Sequence, residues 1–337
     1  MSSSGGASDG EQDLGHVLRN AGRRAEPPED LTRAVRARAE AQWREAVALR
    51  TGRRRIGFSL AAGFAVAAVS LWIARPLFQG PGERVAEVRL AVGSVQAKAG
   101  WLSRWQPLAA HGVLAVGEEL VTDSNGRAAL ALADDLSVRL DHDTRVRFVD
   151  PVHISILRGA LYVDSGGSGR SRERELQILT PAGSVRHVGT QYEARLVGSD
   201  VRIAVREGKV ELDTSAGATH RAAAGEAMTI SSTGSVERSR LSPYDAQWAW
   251  VSKTAPVFNI DGVSVAEFLT WVARELGRDV VYADAQAQAE ASRVTLSGSI
   301  AGLSPEDALE AVLPTTTLRS ELRSGQLIVS LPTERAP

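Results

Sequence analysis

The stretch RRRIGFSLAAGFAVAAVSLWIARP, residues 53–76, contains nineteen consecutive uncharged residues, 56–74, and no other feature constrains the chain as strongly. As a helix rising 1.5 Å per residue it would span about 28 Å, close to the roughly 30 Å hydrocarbon core of a bilayer. A helix in a soluble core keeps a polar stripe. Here Leu60, Phe64, Ala67 and Leu71 lie on one face and Ala61, Val66, Val69 and Trp72 on others, so the segment is apolar all round. A cleaved leader begins near the N-terminus with a shorter apolar region, whereas residues 1–55 precede this one. The expectation is a transmembrane helix over 56–78. Arg50 and Arg53, Arg54 and Arg55 crowd one flank while Arg75 stands alone on the other. The positive-inside rule therefore predicts a single-pass inner (cytoplasmic) membrane protein with residues 1–55 in the cytoplasm and the remainder in the periplasm.

That division gives the charges their meaning. Residues 1–55 carry 11 arginines against 8 carboxylates, and the whole chain has a net charge of -1, so neither side has the surplus of a nucleic-acid binder. With no cysteine there is no disulfide framework and no thiolate metal site. Residues 1–13, MSSSGGASDGEQD, bury nothing and are expected to be disordered. Two short cytoplasmic helices are predicted after them, the second opening at EPPED, where Pro28, Glu29 and Asp30 suit a first helical turn. Along it Leu31, Val35, Trp43 and Val47 recur near helical spacing as an apolar stripe. Fifty residues cannot enclose much of a core. The stripe is either part of a plain anchor or a docking face for a cytoplasmic protein.

Beyond the membrane the texture becomes β. Runs such as EVRLAVGSVQAKAG, VHISILRGALYVDSG and DVRIAVREGKVEL alternate apolar and polar residues and are broken by Gly, Asp and Pro, which predicts an all-β domain over 85–235. SNG at 124–126, GSD at 198–200 and EG at 207–208 read as turns between its strands. A sandwich, a roll or a solenoid would bury the alternating faces. After an expected linker, 236–255, residues 256–332 predict a small α+β domain. Ser264 and Glu267 form a capping box, Gly277 a helix stop, and Ser304 with Pro305 a second helix start. The expected order is strand, helix, strand, strand, helix, strand, strand, with APVFNID and SRVTLSG among the strands. Phe258, Ile260, Phe268 and Trp271 are its predicted core. Its own caps and the prolines at its entry predict that it folds independently.

These elements carry a resemblance. ALALADDLSVRLDHDTRVRF, LRGALYV, VRHVGTQYEARL, VRIAVREGKVEL and AAAGEAMTI, in that order, resemble the periplasmic domain of FecR-family transmembrane sensors. The marks are Gly189, Thr190 and Tyr192 and, later, Glu207, Gly208 and Val210. The chain departs at Asp135, Leu136 and Ser137, where the family usually has Asp-Gly-Ser. Residues 256–332 separately resemble the short domain at the start of secretins and TonB-dependent receptors. The resemblance implies a regulator whose exported part senses an outer-membrane TonB-dependent receptor of the iron or siderophore type. It also implies that the cytoplasmic stripe Leu31, Val35, Trp43 and Val47 meets an extracytoplasmic-function sigma factor.

Enzymatic readings are weaker. Asp134, Asp135, Asp141, His142 and Asp143 form an acidic cluster that turn chemistry explains without a metal. Ser184 and His187 lack a nucleophile elbow and an orienting acid. No cofactor, metal or catalytic residue is expected. The readings left open are a single-pass signal transducer and a membrane-anchored periplasmic interaction or envelope-assembly module with no sigma partner.

Overall fold

Strand geometry follows directly from alternation. In Arg145–Asp150, Val146 and Phe148 are buried while Arg147 and Val149 are exposed, as a pleat with one face on a core requires. The computed structural model describes residues 82–332 apart from 101, 134–135 and 167–174. The expected cytoplasmic segment 1–55 and the expected transmembrane helix 56–78 lie outside the described residues. Among those described, no helix is long and apolar enough to cross a membrane.

Sixteen strands between Arg84 and Arg240 form one hydrogen-bonded sheet. The pairing is antiparallel except where Gln177–Thr180 runs parallel to His153–Arg158. Val88, Leu130, Phe148, Ile156, Leu161, Tyr192, Ile203 and Leu212 meet in one apolar cluster. The sheet therefore curls around a single core as a roll. Two strands of fifteen residues, Gly183–Val197 and Asp200–Thr214, form its central hairpin, closed by Gly198 at φ 61°. Of the predicted turns, EG at 207–208 is not one. It lies inside the second long strand, where Gly208 forms part of a bulge.

Strand Ala160–Asp164 is buried along its whole length, so both of its faces must be covered. Leu161 and Val163 point into the roll, while Tyr162 lies beneath Leu241, Trp248, Trp250 and Val251. The stretch expected as a linker, 236–255, is thus folded structure. It holds strand Val236–Arg240, a 3-10 turn Ala246–Trp248 and helix α1, Ala249–Lys253.

The C-terminal domain stacks three helices on a three-stranded sheet. Helix α2, Val265–Leu276, has the Ser264–Glu267 capping box and ends on Gly277 at φ 64°. Helix α4, Pro305–Val312, is capped by Ser304. Between them stands helix α3, Ala285–Arg293, capped by Asp284. The sequence analysis missed α3, because only Ala287 and Ala291 are buried on it and two alanines make no visible stripe. Of APVFNID and SRVTLSG, both expected as strands, the first is irregular, and the second begins with Ser292 and Arg293 at the end of α3 and continues irregularly apart from one bridge between Ser264 and Thr295. The sheet order is Asp279–Tyr282, Gln326–Ser330, Arg319–Arg323. Ile260 and Phe268 are buried, and the half-buried Trp271 stacks on Phe258 with ring centres 4.9 Å apart.

Candidate functional site

The most informative irregularity lies in the central hairpin. Its register runs regularly to Val188 opposite Lys209, then resumes at Gln191 opposite Glu207. The extra residues are accommodated by two glycines in the left-handed region, Gly189 at φ 60° and Gly208 at φ 78°. Their reasons differ. A Cβ on Gly189 would meet open space, so only its backbone angle matters. A Cβ on Gly208 would lie 2.5 Å from the Gly189 carbonyl oxygen and 2.6 Å from the Thr190 methyl. The Thr190 N–H donates to Ser165 Oγ at 2.7 Å, and the Ser165 N–H donates back to the Thr190 carbonyl at 3.1 Å. Tyr192 and Val210 anchor the two strands in the apolar core. The two motifs singled out in the sequence are therefore the two sides of one bulge.

The outer side of that bulge receives the C-terminal domain through charges. Adjacent residues in the last turn of α2 do most of the holding. Arg274 donates to Asp164 at 2.5 Å and to Glu207 at 2.8 Å. Glu275 takes both amino groups of Arg139 at 2.7 Å each, and Arg139 also donates to the Val251 carbonyl at 2.9 Å. Arg139 is 1% exposed and Glu275 6%, so this is a bidentate ion pair almost out of water. Burial works against the Arg139 charge, yet the Glu275 carboxylate outweighs it and holds the guanidinium protonated above its ordinary range. Burial likewise opposes the Asp164 charge, and Arg274 wins, keeping that carboxyl below its usual value. Asp164 also accepts from Gln191 Nε2 at 3.0 Å, which ties the ion pair to the bulge.

The tryptophan segment is wedged between the two domains. Trp248 and Trp250 meet Tyr162 edge-on, with ring centres 5.9 and 6.5 Å away. Trp250 Nε1 donates to Glu193 at 3.0 Å, and Ser252 Oγ donates to the Glu275 carbonyl at 2.9 Å. At the C-cap of α2, a Cβ on Gly277 would collide with the Pro243 carbonyl and with Arg206 Nε. Only glycine permits that approach.

Of the residues singled out from sequence, the structure brings Gly189, Thr190, Glu207 and Gly208 to this junction. Phe258, Ile260, Phe268 and Trp271 belong to the interior of the C-terminal domain instead. Leu31, Val35, Trp43 and Val47 lie outside the described residues. The acidic cluster is accounted for where it is described: Asp141 is held by Arg127 at 3.0 Å and Arg195 at 2.9 Å. No group of His, Cys, Asp and Glu among the described residues is arranged to hold a metal ion. Ser184 donates to Gln177 at 2.9 Å, and both ring nitrogens of the buried His187 lack a partner. Three residues apart on a strand, the two side chains face opposite ways. Sequence reasoning missed Arg139, Asp164, Arg206 and Glu275. No signal marked Arg139: in LSVRL it alternates with Leu136, Val138 and Leu140, which face the core, so it reads as an ordinary outward charge.

Residues 118–211 match the FecR protein family, and the matched stretch contains Arg139, Asp164, the bulge and Glu207. Two crystal structures of a candidate anti-sigma factor from Parabacteroides distasonis ATCC 8503 superpose on the chain with a TM-score of 0.35. They share 15% and 16% identity with it, over 64% of this chain and 99% of theirs. Superpositions that loose assign nothing to it. No curated protein matches the chain.

Proposed function

We propose that this chain, which carries a FecR domain, regulates a sigma factor by relaying a protein contact across a membrane, and that it is not an enzyme. The observation that carries the reading is the family match over 118–211. In this reading residues 1–55 hold an extracytoplasmic-function sigma factor through Leu31, Val35, Trp43 and Val47. One helix over 56–78 crosses the inner membrane, and the exported domains follow the state of an outer-membrane TonB-dependent receptor for iron or siderophore uptake. The C-terminal domain is the receiver. Arg319–Arg323 is an edge strand, and beside it a groove of about 690 Å³ is lined by Leu309, Leu313, Leu318 and Leu322. An edge strand next to an apolar groove suits strand addition, in which backbone bonds supply affinity and the groove supplies specificity. The β domain is the coupler, because Arg274 and Glu275 pass a displacement of α2 straight to its strands.

Capture experiments on the full chain, co-expressed with each extracytoplasmic-function sigma factor of its host, test the reading. One sigma factor should be retained, and Trp43→Ala should reduce its retention at least tenfold without changing membrane fractionation. If none is retained, the chain is a membrane-anchored interaction module and the regulator reading fails.

A further inference from the structure

Where the β domain, the tryptophan segment and the C-terminal domain meet, they enclose a cavity of about 180 Å³. Its wall carries three cations, Arg206, Lys253 and Arg278, against two carboxylates, Asp245 and Glu306. None of the five belongs to an ion pair among the described residues. Asp245 is occupied in part, since it accepts the Gln247 N–H at 2.9 Å. Arg206 is 3% exposed, and its Nε donates to the Pro243 carbonyl at 2.6 Å. Its Nη1 is buried with no partner. A charged donor in that state is costly, and it keeps the Arg206 charge uncompensated at the cavity wall.

Both guanidinium groups are also held by aromatic rings. Arg206 lies over Trp248 at 5.4 Å and Arg278 over Tyr244 at 5.2 Å. Stacking of this kind fixes the plane of a guanidinium and leaves its edge free for the paired oxygens of an oxyanion. Ser304, the cap of α4, places the positive end of that helix on the same wall.

We infer that this cavity is a binding site for a small oxyanion, a phosphate or a short dicarboxylate, gripped by Arg206 from the β domain and Arg278 from the C-terminal domain. A bound anion offsets the surplus positive charge and ties the two domains together a second time, beside the Arg139–Glu275 pair. What the anion would regulate rests on the relay proposed above, whereas the site stands on the cavity and its charges.

The test is a titration of the full chain in detergent with inorganic phosphate and, separately, with malonate, at ionic strength held constant with sodium chloride. Tryptophan fluorescence and the thermal unfolding midpoint are followed. A saturable response to either anion is expected, and the anion that produces it identifies the ligand class. Its half-saturation should rise at least tenfold in Arg278→Gln and several-fold in Lys253→Gln, two side chains outside the apolar cores, and stay unchanged in Arg221→Gln on a distant strand. No saturable response, or one that survives both Arg278→Gln and Lys253→Gln, overturns the site. Sigma-factor capture reads residues 1–55 instead, so either idea can fail without the other.

Discussion

The core of the β domain and its junction with the C-terminal domain are both shut off from water, but their chemistry is opposite. The core is Val, Leu, Ile, Phe and Tyr drawn from nearly every strand. At the junction Arg139, Asp164, Glu193, Arg206 and Glu275 are all less than a tenth exposed. Apolar packing rewards any arrangement that excludes water. A buried ion pair offsets its desolvation only near one geometry, here two contacts of 2.7 Å between Arg139 and Glu275. The core makes the domain stable, and the junction makes one relative orientation of the two domains specific.

Truncation before residue 256 should break that contrast most severely. It removes Arg274 and Glu275 together, and with them the partners of Asp164 and Arg139. The melting temperature of the β domain should drop further than for any single substitution, as followed by circular dichroism. An unchanged melting temperature would show that the junction charges rehydrate freely.

Arg139→Ala should cost about 3–5 kcal/mol, because it strands Glu275, and Phe148→Ala about the same through a cavity in the roll. Urea melts measure both. The double variant Arg139→Met/Glu275→Leu separates the causes: stability should recover to within about 2 kcal/mol of the parent, since apolar residues of similar size replace such pairs at little cost. Orientation should be lost, and protease cleavage near 241–256 should accelerate. A double variant as unstable as Arg139→Ala would mean that volume, not charge, dominates there.

Acid should find the β core before it finds the junction. Burial pushes the pKa of His187 down to about 4 from an ordinary 6.5. The unfolded chain therefore takes a proton between those values that the folded chain refuses, so stability falls as pH falls through that window. At pH 5 the loss should be about 2 kcal/mol relative to pH 7, at roughly 1.4 kcal/mol per unit. His187→Phe should abolish it in urea melts at the two pH values. Asp164 acts in the same direction only lower down: its contribution is intact above its ordinary 3.8 and fades as pH drops through its depressed folded value.

The smallest effect belongs to the bulge. Gly189→Ala should cost about 1–2 kcal/mol from its backbone angle alone, because its Cβ meets nothing. Gly208→Ala should exceed it, since that Cβ would press on the Gly189 carbonyl. Equal losses in thermal melts would contradict the asymmetry.

The sequence by itself determined what depends on near neighbours. Alternation marked the strands, Ser264, Glu267 and Gly277 marked the ends of α2, and the glycines at 189 and 208 marked places where φ must be positive. Helix α3 escaped because its stripe is two alanines, and APVFNID looked like a strand because an apolar run does not say whether a sheet edge is there to receive it. Only the tertiary structure decided that 236–255 is a wedge between domains, that the two glycine motifs face each other across one bulge, and that Arg139 meets Glu275, 136 positions away. Periodicity reports which face of an element is buried. It carries no information about which distant charge waits on the other side, because that pairing comes into being only when the two surfaces close and exclude the water between them.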